Sequence, residues 1–225
     1  MTSEATPELP ARYEPVRRLG RGGGGEVWAV RDRLGGGSLA LKLLGPAAGE
    51  HELAALVREA TSLSALEGLG VPRIVAFGSL HGGRRYLVRE LVEGQSLERV
   101  LDTPRGPAWL GALVDAADQL TTLHRTGLLH GDVKPANVVV GEGGRGTLVD
   151  LGLATPWREE GVRPPGLTPQ YAAPELLGGD VLTVRAEVFA LGATLGEAVA
   201  KRGDELDPKL RDALERIAER ATCES

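Results

Sequence analysis

The chain has 225 residues, of which 42% are hydrophobic and 25% are charged, a composition typical of a globular protein with a real core. Its net charge of −5 and the lack of a Lys/Arg run argue against nucleic acid as a partner. A single cysteine, Cys223, excludes a disulfide framework or a cysteine-based metal site within one chain. No apolar run reaches membrane-spanning length, and the first residues lack the pattern of a signal peptide, so we expect a cytoplasmic protein.

The first 92 residues have the pattern of an antiparallel sheet with one helix. Residues 1–11 are polar and contain proline, so a flexible tail is expected there. Strands are predicted in YEPVRRLG, GEVWAVRD and GGGSLALKLLG, with glycine-rich turns between them. Apolar residues then recur at helical spacing in EHELAALVREATSLSALEGL. Two further strands, RIVAFGSL and RRYLVRELVEG, flank the hairpin signal HGGR.

The chain changes character near residues 92–96 and becomes mainly helical. Residues 107–126 predict a long helix that Pro107 opens and Gly127 ends. Two short β runs, NVVV and GTLVDLG, follow, and residues 155–170 are predicted as an exposed loop. LTVRAEVFALGATLGEAVA predicts a buried helix, and DPKLRDALERIAERAT predicts an amphipathic last helix. The sequence therefore predicts an α+β chain with a β-rich part, about 12–92, and a helical part, about 96–222.

The glycine run Gly20-x-Gly22-x-x-Gly25-x-Val27 predicts a turn whose backbone N–H groups can approach phosphate oxygens closely. Taken alone, the same pattern is that of a flexible hairpin tip. A dinucleotide-binding fold needs a helix directly after the glycines, whereas EVWAVRD is strand-like. The run therefore favours a strand–turn–strand cover over phosphates.

Lys42, in LALK, and Glu59, in the predicted helix, are candidates for an ion pair between strand and helix. Taken separately, Lys42 could be a surface cation and Glu59 part of a solvated helix face. Leu41 and Leu43 should point to the face of the strand opposite to Lys42 and Ala40. An ion pair would explain both charges, and in kinases such a pair positions the lysine on ATP phosphates.

The segment HGDVKPAN lies between a long helix and a β run and carries the strongest chemical pattern in the chain. Asp132 could accept the proton of a hydroxyl group, and Lys134 could neutralise a phosphoryl group during transfer. Asn137 and, further on, Asp150 offer oxygen ligands to Mg²⁺. Phosphoryl transfer requires such positioning and cations, with little covalent chemistry. Each Asp or Asn taken alone would be a turn or cap residue.

Together these motifs resemble the protein-kinase superfamily, specifically the bacterial Hanks-type (eukaryotic-like) serine/threonine kinases, from about Tyr13 to Thr222. In chain order they are the glycine loop, LALK, Glu59, ELVEG, HGDVKPAN, DLG and TPQYAAPE. The resemblance implies a bilobal protein-kinase-like fold, with a β-rich N-lobe and a helical C-lobe. It also implies ATP as co-substrate, Mg²⁺ or Mn²⁺ as cofactor, and a protein substrate with Ser or Thr.

The resemblance assigns roles to particular residues. Catalytic roles fall on Lys42, Glu59, Asp132 and Lys134, and the metal would be held by Asn137 and Asp150. The activation segment would include Thr155, Thr168 and Glu175, of which Thr168 matches a position that usually contacts the catalytic loop. ATP would be bound by the glycine loop, by apolar residues around the adenine and by backbone groups of the segment ELVEG, here called the hinge: Gly20, Gly22, Gly25, Val27, Ala40, Lys42, Glu90, Val92 and Val139.

The sequence departs from the family pattern inside the site itself. Gly131 replaces the usual Arg before the catalytic Asp, and Leu151 replaces the usual Phe. Glu187 stands where the buried helix that braces the catalytic loop usually has Asp. Arg89 falls at the back of the adenine pocket, where an apolar residue is usual. Because an unpaired buried charge is costly, we expect Arg89 to pair with a carboxylate, Glu59 being one candidate, or to turn to solvent.

The predicted C-lobe is shorter than that of the family. After the buried helix the chain goes almost directly to its last helix, so an intervening helix that commonly supports docking is missing. The usual Arg partner of Glu175 would also lie beyond residue 225. The sequence is therefore expected to be either a fragment of a longer protein or a naturally minimal kinase.

Regulation through the activation loop is not expected. Gly131 has no side chain with which to grip a phosphate on that loop. Between Asp150 and Thr168, the only other hydroxyl residue is Thr155. We therefore predict that activity does not depend on loop phosphorylation and that a partner, a neighbouring domain or abundance controls it.

Two other functions stay open on the sequence. HGD followed by Asn137 resembles the antibiotic and choline phosphotransferases, which share HGDxxxxN and act on small molecules; those enzymes generally lack Lys134, the glycine loop and AAPE. A pseudokinase, which binds without transfer, usually lacks the Lys, the catalytic Asp or the metal Asp, and all three are present here.

Overall fold

The computed structural model describes residues 8–22, 24–103, 108–158 and 160–223. The chain divides after Val92 into two compact units. This division lies at the start of the stretch in which the sequence changes character.

The first unit is a five-stranded antiparallel sheet with one helix, as the sequence predicts. The strand order is β1–β2–β3–β5–β4, so that β5, the second strand of the hairpin, lies beside β3. In chain order the elements are β1 (Tyr13–Gly22), β2 (Gly25–Asp32), β3 (Ser38–Leu44), α1 (Glu50–Ala65), β4 (Ile74–Ser79) and β5 (Arg85–Glu90).

The two faces of this sheet differ in chemistry. Leu41 and Leu43 are fully buried in an apolar cluster with Trp28 and Val88. Because successive side chains of a strand alternate between faces, Lys42 points away from this cluster, which confirms the predicted pattern. Leu9 packs against the cluster, although the sequence assigns it to a flexible tail. Residues 1–7 of that tail lie outside the described residues.

The second unit is mainly helical and contains several short strands. Pro107, predicted to open the long helix, lies outside the described residues. The strands form a three-stranded sheet, β6–β8–β9, and a two-stranded sheet, β10–β7. The elements are β6 (Gln95–Ser96), α2 (Leu97–Leu101), α3 (Ala108–Arg125), β7 (Leu128–Leu129), β8 (Val138–Val140), β9 (Gly146–Leu148), β10 (Thr155–Pro156), α4 (Pro174–Leu177), α5 (Val184–Arg202) and α6 (Pro208–Ala221).

The segment predicted as an exposed loop, residues 155–170, is partly ordered by backbone pairing. Thr155 pairs with Leu129 in the small sheet, and Val162 forms a β-bridge with Leu182. Strands of two residues are too short to show alternation, which explains why the sequence does not reveal them.

Two capped helices follow this segment. Thr183 caps α5 by accepting a hydrogen bond from the backbone of Ala186, and Asp207 caps α6. Among the described residues, no helix has both the length and the apolar composition needed to cross a bilayer.

Candidate active site

In the first unit, the predicted ion pair joins β3 to α1. Lys42 Nζ lies 2.7 Å from Glu59 Oε2. The side chain of Glu59 is only 2% exposed, although it stands in the middle of a helix. Its burial excludes the solvated helix face that the sequence left open, and the ion pair is confirmed.

Arg89, on β5, contacts the same carboxylate. Its Nε lies 3.6 Å from Glu59 Oε1, and its side chain is 15% exposed. Of the two outcomes expected for Arg89, a carboxylate partner or a turn to solvent, the structure shows the first, with Glu59 as the partner. The carboxylate of Glu59 therefore contacts two cationic side chains, Lys42 at Oε2 and Arg89 at Oε1.

Around Lys42, the strand register gathers the other predicted nucleotide residues. Val27 is the cross-strand partner of Lys42, and Ala40 lies two residues before Lys42 on the same face of β3. At Gly20 and Gly22, a Cβ atom would have nothing within 4 Å, so the surroundings there leave room for a ligand.

Glu90 follows Arg89 at the end of β5, and its backbone is already partly used. The N–H of Glu90 donates to the carbonyl of Arg73 at 2.9 Å. Its carbonyl accepts a long hydrogen bond, 3.3 Å, from Arg89 Nη1. A carbonyl oxygen has two lone pairs, so the carbonyl of Glu90, and not its N–H, is the group with capacity for a ligand.

In the second unit, Asp132 lies at the centre of a polar network. Its Oδ1 accepts a hydrogen bond from the hydroxyl of Thr168 at 2.7 Å. Its Oδ2 accepts one from the amide of Asn137 at 2.8 Å and lies 2.7 Å from Lys134 Nζ. Lys134 also donates to Thr168 Oγ1 at 2.9 Å, which closes the network. The predicted contact of Thr168 with the catalytic loop is therefore confirmed.

The backbone before Asp132 is held by Glu187, on α5. Glu187 Oε1 accepts a hydrogen bond from the N–H of Gly131 at 2.5 Å, and Oε2 lies 2.7 Å from His124 Nε2. Glu187 therefore braces the catalytic loop despite its extra methylene. The sequence did not assign a role to His124, because its partner is 63 residues away.

Gly131 has a backbone conformation that favours glycine. Its φ is +82°, and a Cβ atom there would lie 2.5 Å from the carbonyl oxygen of Leu153. Both the left-handed backbone and the close approach oppose any larger residue in this structure. The sequence shows only that an Arg is missing here; the structure shows why a Gly fits.

His130, also without an assigned role in the sequence, is fully buried beside this loop. Its Nδ1 accepts a hydrogen bond from the N–H of Asp132 at 3.2 Å. Its Nε2 must then carry the proton, which it donates to the carbonyl of Val149 at 3.2 Å. His130 thereby connects the backbone of Asp132 to the residue that precedes Asp150.

Two oxygen ligands with the chemistry for Mg²⁺ stand next to this network. The amide nitrogen of Asn137 donates to both the carbonyl and the carboxylate of Asp132, which leaves the amide oxygen as its ligand atom. The N–H of Val149 donates a hydrogen bond to the carbonyl of Asn137 at 2.8 Å. Asp150 is the next residue in the chain, so this bond holds the backbone before Asp150 close to Asn137. Asp150 has a φ of +66°, and its carboxylate accepts from the N–H of Gly152.

This donor set fits a hard cation that also binds phosphates. Carboxylate and amide oxygens are the ligands that Mg²⁺ prefers, and Mg²⁺ usually takes one or two protein oxygens together with phosphates and water. Within the described ranges, no three His, Cys, Asp or Glu side chains gather into a metal site. Asn137 and Asp150 are residues that could offer such oxygens.

The segment after Asp150 has further buried residues and contacts besides that of Thr168. Thr155 is 5% exposed in β10. Tyr171 donates its hydroxyl to Glu197 Oε2 at 2.6 Å, and burial, together with this carboxylate, raises the pKa of Tyr171. Glu175, on α4, is partly buried.

The comparisons with known proteins agree with this geometry. The family model of the protein kinase domain matches residues 13–206. The chain is 32% identical to the serine/threonine-protein kinase PknD of Mycobacterium tuberculosis, over 96% of this chain and 33% of PknD. It is 36% identical to pkn2 of Myxococcus xanthus, over 82% of this chain and 24% of pkn2. With PkaB of Streptomyces coelicolor the identity is 35%, over 86% of this chain and 49% of PkaB.

A β-rich unit with a Lys–Glu ion pair and a helical unit with an Asp–Lys–Asn loop define the bilobal protein kinase fold. The chain belongs to the protein kinase domain family. Within that family it is of the bacterial Hanks type, because the relatives are bacterial serine/threonine kinases. It spans between about a quarter and a half of the length of these relatives.

Proposed function

We propose that this chain is a catalytic domain that transfers the terminal phosphoryl group of ATP to Ser and Thr hydroxyls of proteins. The observation that carries the proposal is the closed network of Asp132, Lys134 and Thr168. In it a carboxylate, a cation and a hydroxyl fix one another's positions. Fixed geometry is what phosphoryl transfer requires, since its catalysis is mostly positioning and charge stabilisation.

Asp132 is the proposed base. A carboxylate oxygen has about two acceptor positions. Oδ2 receives hydrogen bonds from both Asn137 and Lys134, whereas Oδ1 receives one from Thr168. Oδ1 therefore has an acceptor position for the hydroxyl of a substrate, and it would orient that hydroxyl and take its proton.

Lys134 is the proposed cation at the transferring group. Its ammonium contacts Asp132 and Thr168, on the same carboxylate whose Oδ1 would hold the substrate hydroxyl. A compact ammonium can turn from Thr168 to a phosphate oxygen without leaving the network. Lys42, in the first unit, would bind other phosphate oxygens, and Gly20, Gly22 and Gly25 would approach them through the backbone.

Asn137 and Asp150 are the proposed metal ligands, and Mg²⁺ is the proposed metal, with Mn²⁺ as the alternative. When bound, the metal neutralises charge on the phosphates of ATP. The hydrogen bonds to Asp132 hold the side chain of Asn137 in one orientation, so its oxygen is directed before any metal arrives.

The adenine is proposed to lie against Val27, Ala40 and Val139, with hydrogen bonds to the backbone of the hinge. At Glu90 the carbonyl oxygen would accept the hydrogen bond from the adenine, because the N–H of Glu90 already donates to the carbonyl of Arg73. At Val92 the proposed group is the backbone N–H.

Regulation and location are further parts of the proposal. Burial of Thr155 makes a loop phosphoswitch unfavourable, so we propose that a partner or a neighbouring domain of a longer protein controls the activity. We propose the cytoplasm as its location, since ATP is the co-substrate.

One experiment tests the proposed reaction and its substrate class. The protein is incubated with labelled ATP and Mg²⁺, a generic protein substrate and a panel of small alcohols. We expect label on Ser and Thr of the protein and none on the alcohols. Label on an alcohol alone would identify a small-molecule phosphotransferase, and ATP binding without any transfer would identify a pseudokinase. Either result would overturn the proposal.

A further inference from the structure

The carboxylate of Glu59 is shared by two cations from neighbouring strands. Lys42 lies at Oε2 and Arg89 at Oε1. Lys42 is opposite Leu87 in the register of β3 and β5, and Arg89 is two residues further along β5, on the same face. Such diagonal neighbours are within reach of long side chains, so both cations can converge on one carboxylate of α1.

Two cations meet one buried carboxylate in this cluster. If Lys42 alone paired with Glu59, moving the ammonium to a phosphate would leave a buried carboxylate without its partner, which is strongly unfavourable. Because Arg89 is permanently charged and contacts the other oxygen, Glu59 keeps a partner when Lys42 turns away.

Arg89 is itself held in place. It donates to the carbonyl of Glu90 at 3.3 Å and belongs to a strand that is paired on both sides, with β3 and with β4. The guanidinium can therefore act as a fixed counter-charge, whereas the flexible stem of Lys42 lets its ammonium move.

We propose that Arg89 is a positioning residue that holds Glu59 and α1 in place and so frees the charge of Lys42 for the phosphates of ATP. The proposal rests on the proposed kinase function, in which Lys42 binds those phosphates. It assigns to Arg89 an effect on ATP affinity through Glu59, without direct contact with the nucleotide.

The test compares three variants by calorimetric titration with ATP–Mg²⁺ and by steady-state kinetics. Arg89→Met removes the charge, and we expect KM for ATP to rise about tenfold or more while kcat changes less, because one partner of a buried ion pair is lost. Arg89→Lys keeps the charge and should restore most of the affinity. Arg211→Met is the matched control, because it removes an Arg–Glu pair of 2.9 Å on α6 that is exposed on both sides and touches no proposed site residue, and it should change neither quantity.

A double-mutant cycle separates positioning from simple packing. In a Glu59→Gln background there is no carboxylate for Arg89 to hold, so adding Arg89→Met should weaken ATP–Mg²⁺ binding by less than about twofold more. Equal effects of Arg89→Met in both backgrounds, or an unchanged KM in the single variant, would overturn the proposal. If Arg89→Met does not fold, Arg89→Gln replaces it in the same cycle.

The outcome can be distinguished from a failure of the proposed function. A wild-type protein that neither binds ATP nor transfers its phosphoryl group would refute the kinase reaction itself. A wild-type protein that transfers normally, together with an Arg89→Met variant of equal ATP affinity, would refute only the role of Arg89.

Discussion

Among the described residues, each of the two units contains one buried glutamate on a helix, Glu59 in the middle of α1 and Glu187 in the first turn of α5, and the two are held in different ways. Glu59 and Glu187 both have side chains that are 2% exposed. Glu59 is held by two cationic side chains, of which the flexible Lys42 can turn to an arriving anion while Arg89 stays in place. Glu187 is held by a backbone N–H and an imidazole, which are fixed by the chain around them. The comparison indicates that the first glutamate tunes charge, whereas the second fixes geometry.

Among the changes that test this comparison, the largest effect is expected from Glu187→Ala. This change leaves the N–H of Gly131 and the ring of His124 without their partner and releases the loop that carries Asp132. Because a misplacement of about 1 Å can cost about a hundredfold in rate, we expect kcat to fall by about that factor. Glu187→Gln is the control: an amide can still accept from Gly131 and hydrogen-bond to His124. An equally large loss in Glu187→Gln would mean that charge, and not geometry, is what matters there.

The same Glu→Gln substitution should act differently at position 59. Glu59→Gln removes the charge that Lys42 and Arg89 share, so it should weaken ATP–Mg²⁺ binding by about tenfold, within the cost of breaking a buried ion pair. The change should appear mainly in KM for ATP. Similar kinetic effects of the Gln variants at positions 59 and 187 would remove the distinction between the two glutamates.

Gly131→Ala tests how closely the loop approaches its surroundings. The substitution imposes a left-handed conformation on Ala and places its Cβ 2.5 Å from the carbonyl oxygen of Leu153. We expect the free energy of unfolding to fall by about 1–3 kcal/mol, measured by urea denaturation. Gly127→Ala is the matched control, because φ there is +77° but a Cβ would have nothing within 4 Å. A loss no larger at Gly131 than at Gly127 would show that the close approach is unimportant.

The smallest effect is expected from loss of phosphate on the activation loop. Thr155 is buried in β10, so we do not expect it to carry a phosphate whose charge would order the loop. Phosphatase treatment and Thr155→Ala should therefore each change the initial rate on a protein substrate by less than about twofold. A large loss in both samples, recovered by autophosphorylation only when Thr155 is present, would identify the loop as a phosphoswitch.

The sequence predicted those parts of the site that depend on local pattern. The alternation of β3 and the period of α1 placed Lys42 and Glu59, and the cost of an unpaired charge made Glu59 one candidate partner of Arg89. The spacing within HGDVKPAN likewise placed Asp132, Lys134 and Asn137 in one loop.

Contacts between distant residues could not be predicted in this way. The pair of His124 and Glu187 joins two helices 63 residues apart, and no periodicity encodes such a distance. The left-handed backbone of Gly131 and the pairing of β7 with β10 likewise depend on tertiary neighbours such as Leu153. A sequence pattern predicts the type of a local element, whereas these contacts depend on how separate elements pack against each other in the tertiary structure.

The most direct test of the account is a paired measurement on Asp132→Asn. The amide keeps the size of the side chain but cannot take a proton from the substrate hydroxyl. We expect phosphoryl transfer to protein to fall by about 10²- to 10⁴-fold, the range for loss of a general base, while the Kd for ATP–Mg²⁺ stays within about threefold of the wild-type value. Transfer at the wild-type rate in this variant would contradict the assignment of Asp132 as the base.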